Sequence, residues 1–336
     1  MAATATERAT TMQAIVRDRY GSPDVLDLQE VEMPELADDG VLVRVRAALV
    51  NPVDWHDVTG TPWIARPVTG LRGPKGSRLT GRDFAGTVEA VGKDVTDLHP
   101  GDDVFGGKSG GGSFAEYVSV PMEVARKPAH LTFEEAAAVP VAALTALQGL
   151  RDHGQLQQGQ KVLVNGASGG VGTFAVQIAK ALGAEVTAVC STRNVEQARS
   201  LGADRVIDYT REDFTRSGEH YDLILDVAGT KSWSRYRRVL KPDGTLVMVG
   251  APKSSRLLGP LGHIARVRLA AWRGSQKAVF FVAKFNKPDL DALRDLLESG
   301  NVKPVVEKRY ELGEVADALR YLGEGHAQGK IVINIV

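Results

Sequence analysis

The chain has 336 residues, 43% hydrophobic and 24% charged, and its 41 basic and 41 acidic side chains give a formal net charge of zero. This length exceeds what one hydrophobic core usually organises, so we expect two domains. A neutral balance argues against a nucleic-acid-binding surface as the main function, although a local basic patch stays open. The longest apolar runs fall short of the roughly 20 residues of a membrane span. We therefore expect neither a nucleic acid nor a membrane as partner.

The cysteine content indicates the compartment. Cys190 is the single cysteine of the chain, which excludes an internal disulfide and a zinc cluster of cysteines. The first ten residues are small and polar and lack the apolar centre of a secretory signal. Together these features predict a cytoplasmic protein in a reducing compartment.

The N-terminal part of the chain is rich in predicted strands. Residues 41–48 alternate between two faces, with valine at 41, 43 and 45, which is the period of a half-buried strand. Short strand candidates follow at 88–92, 102–105 and 115–118, separated by Gly, Pro and Asp turns. Many short strands with close turns predict a small barrel or sandwich.

From Thr132 the pattern changes to alternating helices and strands. Thr132 and Glu135 form a capping box before an alanine-rich helix, and a second helix is predicted from about Ala142 to Leu150. Such alternation implies right-handed crossovers and a parallel sheet. Strands are predicted at 162–164, 186–189, 205–207, 223–227, 245–249, 279–282 and 330–336, with helices at 171–182, 194–201, 233–240 and 289–299.

The stretch from Lys161 to Leu182 combines a buried strand, a turn of small residues and a helix. The turn reads A-x-G-x-x-G across Ala167, Gly169 and Gly172. Small residues let a backbone approach a pyrophosphate, and a helix N-terminus offers free N–H groups and a positive dipole end. The pattern predicts a dinucleotide site. The alternative is a tight turn in an α/β sheet that binds nothing.

The end of the next strand indicates which dinucleotide binds. NAD sites usually carry a carboxylate there, whereas this chain has Ser191 and Arg193, which suit the 2′-phosphate of NADP(H). Tyr209, beyond the third strand, is a further candidate for the same phosphate. The alternative is that Arg193 is a solvated loop residue.

Other chemistry is not indicated by the sequence. The seven histidines show no pair at a spacing that makes a zinc site, and no G-x-S-x-G motif is present. Asp54, Asp57 and Asp83 cannot be paired from spacing alone. Residues 253–277 form a basic amphipathic segment, which either lies on a membrane or, more commonly, packs on a neighbour or a second subunit.

Taken together, these motifs resemble the medium-chain dehydrogenase/reductase superfamily, and within it the zinc-independent quinone oxidoreductases. The matching stretches run almost end to end and are listed here: Asn51-Pro52-Val53-Asp54, Gly81-Arg82-Asp83-Phe84-Ala85-Gly86, Pro100-Gly101-Asp102, Pro140 with Thr145-Ala146, Gly169-Gly170-Val171-Gly172, Gly202-Ala203-Asp204, Ile207-Asp208-Tyr209 and Gly329-Lys330-Ile331-Val332.

The resemblance implies an α/β fold with a Rossmann-type doubly wound parallel sheet and a GroES-like β-barrel catalytic domain. The barrel would comprise residues 1–140 and 285–336, and the NADP-binding domain residues 141–284. Zinc-dependent members carry a cysteine at the position of Asn51 and His-Glu at Arg82-Asp83, and their third ligand falls near Ala142, so no metal is expected.

The resemblance also assigns residues to the cofactor. Asn51, the catalytic candidate, and Thr145 would approach the nicotinamide, and the backbone at Phe281 and Val282 the nicotinamide ribose. Trp55 and Trp63 either line an acceptor pocket or serve in packing. The turn residues Ala167, Ser168, Gly169, Gly170 and Val171 would hold the pyrophosphate, and Ser191, Arg193, Tyr209 and Lys330 the 2′-phosphate.

The implied activity is NADPH-dependent hydride transfer to a quinone or an α,β-unsaturated carbonyl, with a proton from water or a weak donor. Relatives commonly form homodimers through the cofactor domain. Two alternatives stay open: an NADPH-binding structural, regulatory or RNA-binding protein, and an enoyl-thioester reductase. The second is disfavoured because Thr61-Pro62-Trp63 lacks the tyrosine that such reductases place there.

Overall fold

The computed structural model describes residues 10–121, 123–229, 231–250, 261–272, 274–325 and 327–335. Part of the basic segment 253–277, namely residues 253–260 and 273, lies outside the described residues. Helices and strands follow one another along the chain. The strands are β1 Thr11–Arg17, β2 Leu26–Glu32, β3 Gly40–Val50, β4 Asp83–Val91, β5 Asp103–Gly107, β6 Tyr117–Pro121, β7 Val124–Arg126, β8 Lys161–Asn165, β9 Glu185–Cys190, β10 Arg205–Asp208, β11 Tyr221–Asp226, β12 Leu240–Met248, β13 Lys277–Phe280, β14 Val306–Glu311 and β15 Lys330–Asn334.

The helices lie between these strands. Short 3₁₀ segments precede several of them, and one π-helical turn, Gly149–His153, follows the fourth. The α-helices are α1 Pro52–Thr59, α2 Arg66–Thr69, α3 Phe133–Ala137, α4 Pro140–Gln148, α5 Gly170–Ala181, α6 Val195–Ser200, α7 Trp233–Val239, α8 Leu261–Ala271, α9 Lys287–Glu298 and α10 Val315–Glu324.

The parallel sheet that the sequence predicts is present. Within the described residues it has six strands in the order β10-β9-β8-β11-β12-β13, all parallel. Val162, Leu163 and Val164 of β8 are fully buried, as expected for a strand covered on both faces. The strand order reverses between β8 and β11, and such a reversal opens a crevice at the carboxyl ends of the strands. The glycine turn follows β8 and therefore lies at this crevice.

A second, mostly antiparallel sheet contains the N-terminal strands. Among the described residues its order is β14-β15-β3-β4-β5-β7, and β6 also pairs with β3. β3 is central because β15, β4 and β6 all pair with it. Strands from residues 306–334 thus complete a sheet that begins at residue 40, after the parallel sheet has been inserted. The fold class is a Rossmann-type α/β domain with a GroES-like barrel; the exact boundaries at 140 and 285 stay a prediction.

α4 joins the two sheets. One buried cluster contains Leu49 and Phe105 of the barrel, Leu144 of α4, and Val164 and Leu225 of the parallel sheet. The capping box at Thr132 is confirmed: the Thr132 amide donates to Glu135 Oε2 at 2.9 Å, and the Glu135 amide donates to Thr132 Oγ1 at 3.2 Å. The structure also shows elements that the sequence did not predict, including α1, α10 and β14.

Candidate active site

The glycine turn brings the start of α5 close to the end of β8. The amides of Gly166 and Ala167 both donate to Val189 O, at 3.1 and 3.0 Å, and Gly166 has a φ of +90° that suits glycine. A Cβ on Gly172 would lie 2.1 Å from Gly166 O. Glycine is therefore required at 172 for the helix to pack against the turn.

The predicted pyrophosphate residues lie around this turn. Ala167 is fully buried, Gly169 is the N-cap, and α5 begins at Gly170 and continues for 12 residues. A helix of this length presents unsatisfied N–H groups and a positive dipole end at its first turn. Ser168 and Val171 flank these positions and are partly exposed. The turn is therefore shaped to accept an anionic group.

The predicted 2′-phosphate residues lie at the ends of β9 and β10. Asp208 pairs with Cys190 in register, and the Tyr209 amide donates to Cys190 O at 3.0 Å, so Ser191 and Tyr209 are neighbours. Tyr209 is 61% exposed. Ser191 Oγ accepts a hydrogen bond from Asn194 Nδ2 at 3.1 Å.

A carboxylate that sequence reasoning did not consider lies beside them. Asp208, on β10, accepts hydrogen bonds from the hydroxyls of Thr192 (2.5 Å) and Thr210 (2.8 Å), and Arg211 Nε lies 3.4 Å from it. These hydrogen bonds, that from Thr192 first, lower the pKa of Asp208. The negative charge of Asp208 is thus compensated by neighbouring groups. Ser191, Arg193 and Tyr209 therefore stay the candidate ligands of the 2′-phosphate.

Asn51 is at the centre of a buried polar cluster. It is 1% exposed, its Nδ2 donates to Asp83 Oδ2 at 3.0 Å, and its Oδ1 accepts from Lys330 Nζ at 3.1 Å. The Asn51 amide donates to Asp54 Oδ2 at 2.7 Å at the start of α1. We call Asn51, Asp54, Asp83 and Lys330 the Asn51 cluster. These four residues come from three separate parts of the chain.

Asp83 connects this cluster to α4. Its two carboxylate oxygens accept the Val141 amide hydrogen at 3.1 and 3.2 Å, at the N-terminus of that helix. Thr145, one turn further along, is 8% exposed and its Oγ1 donates to Val141 O at 2.6 Å. The structure therefore places Thr145 one helical turn from Val141, which contacts the Asn51 cluster; the nicotinamide assignment of both residues stays a prediction.

Burial shifts the pKa of three groups in the cluster. Desolvation raises the pKa of Asp83 to about 6, against the opposing positive charge of Lys330, and raises that of Asp54 to about 8. Desolvation also lowers the pKa of Lys330 to about 8. Burial therefore moves the titration of all three groups toward neutral pH.

Lys330 lies elsewhere than the 2′-phosphate assignment implies. Ile331 of β15 pairs with Val50 of β3 in an antiparallel register. Lys330, one position earlier, therefore lies beside Asn51. A Cβ on Gly170 would lie 2.8 Å from Lys330 Cδ and 3.2 Å from its Nζ. The structure therefore places this ammonium at the first residue of α5, with Asn51, rather than with Ser191 and Tyr209.

The remaining predicted residues are dispersed. The Phe281 ring stacks on His153 at 4.2 Å between ring centres, while Val282 is 75% exposed, and both follow the end of β13. The Trp55 ring faces α10, where a Cβ on Gly323 would lie 2.7 Å from it, which favours the packing role. Trp63 is 45% exposed, with the Arg66 guanidinium 5.4 Å from its ring, so it stays a candidate for the acceptor pocket.

The positions of the family's zinc ligands carry a different chemistry. Asn51 donates to Asp83 through Nδ2, its Oδ1 accepts a hydrogen bond from the Lys330 ammonium, and Ala142 is buried. No group of three or more His, Cys, Asp or Glu side chains that could hold a metal ion occurs in the part of the chain that the structure describes. The same residues contain no helix long and apolar enough to cross a membrane.

Comparisons with known proteins agree with this architecture. Residues 37–129 match the alcohol dehydrogenase GroES-like domain family, and residues 201–333 match the zinc-binding dehydrogenase family. The mitochondrial NAD(P)H oxidoreductase RTN4IP1 of Mus musculus is 36% identical over 99% of this chain and 91% of its own. The 2-methylene-furan-3-one reductase of Solanum lycopersicum is 35% identical over 94% of this chain and 77% of its own. The quinone oxidoreductase structure from Coxiella burnetii has a TM-score of 0.83 and 30% identity, covering 97% of this chain and all of that one.

A parallel sheet with a glycine turn, joined to a GroES-like barrel, defines a two-domain oxidoreductase with a nicotinamide cofactor. The chain belongs to the medium-chain dehydrogenase/reductase superfamily, in which it is quinone-oxidoreductase-like.

Proposed function

We propose that the protein is an NADPH-dependent, zinc-independent reductase of quinones and α,β-unsaturated carbonyl compounds. The observation that carries the proposal is the Asn51 cluster beside the glycine turn, where Lys330 contacts both Asn51 and the start of α5. This arrangement brings a fixed amide, a hydroxyl and a buried cation to the crevice at which dinucleotides bind in such folds. The tomato relative, whose name describes reduction of a conjugated ketone, and the Coxiella quinone oxidoreductase support the acceptor class.

The residues present fit the cofactor. Gly166 and Gly172 allow the close approach of turn and helix, and the first turn of α5 offers N–H groups to a pyrophosphate. Lys330 adds a positive charge to that anion site. Ser191, Arg193 and Tyr209 would hold the 2′-phosphate, the backbone at Phe281 and Val282 would approach the ribose, and Asn51 and Thr145 would orient the nicotinamide. When bound, NADPH supplies the hydride; the protein orients the acceptor and stabilises the charge that develops on it.

The Asn51 cluster also supports zinc independence. A divalent metal at Asn51 and Asp83 would have to displace the Lys330 ammonium, whose charge repels a cation. Asparagine and a single carboxylate are in addition a weak donor set for zinc compared with cysteine and histidine. Turnover should therefore persist after dialysis against a chelator, with metal analysis showing no stoichiometric zinc.

Loss of NADPH absorbance with 9,10-phenanthrenequinone, 1,4-benzoquinone and a short enone tests the activity directly. We expect turnover with at least one of them, and with NADPH in preference to NADH. Crotonyl-CoA in the same screen separates enoyl-thioester reduction. Tight NADPH binding without any turnover, together with a salt-dependent shift of an AU-rich RNA, would instead favour the non-catalytic role.

We further propose a homodimer in the cytoplasm. The support for a reducing compartment is that Cys190, the single cysteine of the chain, is free and forms no disulfide. The mouse relative is mitochondrial by name, so fractionation has to decide between these compartments. Light scattering of the purified protein tests the dimer, and a monomeric mass would refute it.

A further inference from the structure

Arg82 is a buried cation to which the proposed function assigns no role. It immediately precedes Asp83, and its Nη2 donates to Asp57 Oδ2 of α1 at 2.8 Å. Its Nε is buried and has no hydrogen-bond partner among the described residues. The side chain as a whole is 22% exposed, so part of it is accessible from solvent. Its hydrogen-bonding capacity is therefore only partly used by the protein.

Arg82 lies within a group of charges around the start of α1. Its positive charge opposes the raised pKa values of both Asp54 and Asp83, which places it close to the Asn51 cluster. Arg17, which is 8% exposed, also contacts Asp57 and donates to its main-chain oxygen. The cations are Arg17, Arg82 and Lys330, and the carboxyl groups are Asp54, Asp57 and Asp83.

The protonation state of Asp54 sets the net charge of these groups. Asp54 is 1% exposed, its Oδ1 has no partner among the described residues, and its pKa is raised to about 8, mainly by burial. With Asp54 protonated, three cations face two carboxylates. A net positive charge in a poorly solvated site favours the binding of an anion or of an oxygen on which negative charge develops.

Nε itself is buried, so an acceptor that enters from solvent meets only the exposed part of the Arg82 side chain. Hydride transfer to a conjugated compound creates a hydrogen-bond acceptor of this kind. When an enone accepts a hydride at its β-carbon, the electrons of the C=C bond move toward the carbonyl, and the carbonyl oxygen becomes an oxyanion. A guanidinium is a planar donor that keeps its charge in buried sites, and suits this oxygen.

We propose that Arg82 donates a hydrogen bond to the carbonyl oxygen of the acceptor and stabilises the oxyanion formed by hydride transfer. The proposal rests on the proposed function. The acceptor takes a hydride, with its two electrons, from NADPH, which leaves as NADP⁺. The resulting enolate then takes one proton from water at its α-carbon to give the saturated ketone. A quinone gives the hydroquinone monoanion, which takes one proton on oxygen. Arg82 stays protonated throughout.

A chromophoric phenol tests this site without requiring turnover. The phenolate of 4-nitrophenol mimics the oxyanion, and its visible absorbance reports its ionisation. We expect the wild-type protein, with and without NADP⁺, to bind the phenolate in preference to the neutral phenol. In Arg82→Met, the affinity for the phenolate should fall about 10- to 100-fold, the range of a hydrogen bond to a charged group. Equal phenolate binding by the variant and the wild type would overturn the proposal.

Asp57→Asn provides the matched control because it removes the same ion pair from the opposite side. If Arg82 is the oxyanion donor, loss of its ion pair with Asp57 should let it bind the phenolate about 2- to 5-fold more tightly. If Arg82 has only a structural role, both variants should weaken phenolate binding alike, which would refute the proposal. Arg82→Lys keeps the charge and should retain intermediate phenolate binding. If circular dichroism shows that Arg82→Met does not fold, Arg82→Lys takes its place in this test.

The two proposals fail in different ways. Phenolate binding that depends on Arg82, in a protein that reduces no quinone or enone, would refute the proposed function and keep the anion site. Turnover of a quinone or enone whose kcat is unchanged in Arg82→Met would refute the role of Arg82 and keep the function. A fall in kcat of about 100-fold with little change in the KM of the acceptor is the result we expect, because the charge develops only in the transition state.

Discussion

The two ends of the cleft differ in the groups that form them, which are backbone amides at one end and side chains at the other. The glycine turn consists of backbone: neutral amides held by glycines that leave no room for a Cβ at 172. The Asn51 cluster consists of buried side chains from the start of α1, from β4 and from β15, with three titrating groups. The first end therefore depends on shape and is insensitive to pH, whereas the second depends on charge balance and is sensitive to pH. Substitutions at each end should separate these properties.

The largest effect is expected at Lys330. Lys330→Met removes the positive charge that most favours ionised Asp83, and it leaves that buried carboxylate with the hydrogen bonds from Asn51 and Val141. We expect the free energy of unfolding to fall by about 3 to 5 kcal/mol, because loss of a nearby buried opposite charge exposes the desolvation cost of the remaining carboxylate. Urea denaturation measures this change. Lys93→Met, at a 70% exposed side chain paired with Asp38, is the control and should cost less than about 1 kcal/mol. Equal losses in the two variants would contradict the assigned cluster.

The pH dependence of stability tests Asp54. Its pKa is raised from 3.8 to about 8 on folding, so the folded state binds more protons than the unfolded state between these values. Its contribution is therefore complete below pH 4 and is lost as the pH rises toward 8. Asp83, raised to about 6, acts in the same direction, and Lys330, lowered to about 8, acts oppositely above pH 8.

Asp54→Asn should therefore reduce the fall in stability between pH 5 and pH 8 by about 2 to 4 kcal/mol, as chemical denaturation at each pH would show. Asp39→Asn, on an exposed turn residue, should leave that fall as in the wild type. A profile for Asp54→Asn that matches the wild type would mean that this carboxyl group is ionised in the folded protein.

The glycine turn should respond to volume rather than to charge. In Gly172→Ala the added Cβ would lie 2.1 Å from Gly166 O, so α5 must move away from the turn. We expect a loss of about 1 to 3 kcal/mol, typical of overpacking, and weaker NADPH binding by fluorescence titration. Gly313→Ala is the control, since nothing lies within 4 Å of its added Cβ. Unaltered NADPH affinity in Gly172→Ala would show that the turn does not hold the cofactor.

The smallest effect on folding, but a selective one on binding, is expected at Arg193. Arg193→Ala should lower the preference for NADPH over NADH about 10-fold or more, through loss of a charge-assisted hydrogen bond to the 2′-phosphate. Arg199→Ala, at a 61% exposed arginine of α6, provides the comparison and should keep the wild-type ratio. An unchanged ratio of the two KM values in Arg193→Ala would exclude it as a 2′-phosphate ligand.

What could be predicted from the sequence follows the same division. The glycine turn, the strands of the parallel sheet and the Thr132 capping box are local patterns, and the structure confirms them. The contact of Lys330 with Asn51 joins residues 279 positions apart, and no local pattern encodes such a contact. For this reason the resemblance alone decided the prediction for Lys330, which was the 2′-phosphate. The orientation of Trp55 toward Gly323 escaped prediction for the same reason.

α1 was missed because its sequence, PVDWHDVT, has no clear apolar stripe. Its first turn is stabilised by the Asp54 carboxylate, which accepts the Asn51 amide hydrogen. That same carboxylate is one of the three titrating groups of the cluster. The position of Asp54 in the sequence is compatible with its role at the start of the helix. It gives no indication of the effect that Asp54 has on the charge of the cleft.

The pairing of β15 with β3 also has a consequence for synthesis on the ribosome. β3 is complete at residue 50, yet its partner Lys330–Asn334 emerges only after the whole parallel sheet has been made. Until then residues 47–50 of β3 lack their partner and are open to other strands, which is a recognised aggregation hazard. The candidate active site, which includes Lys330, is therefore complete only after this late strand has been made.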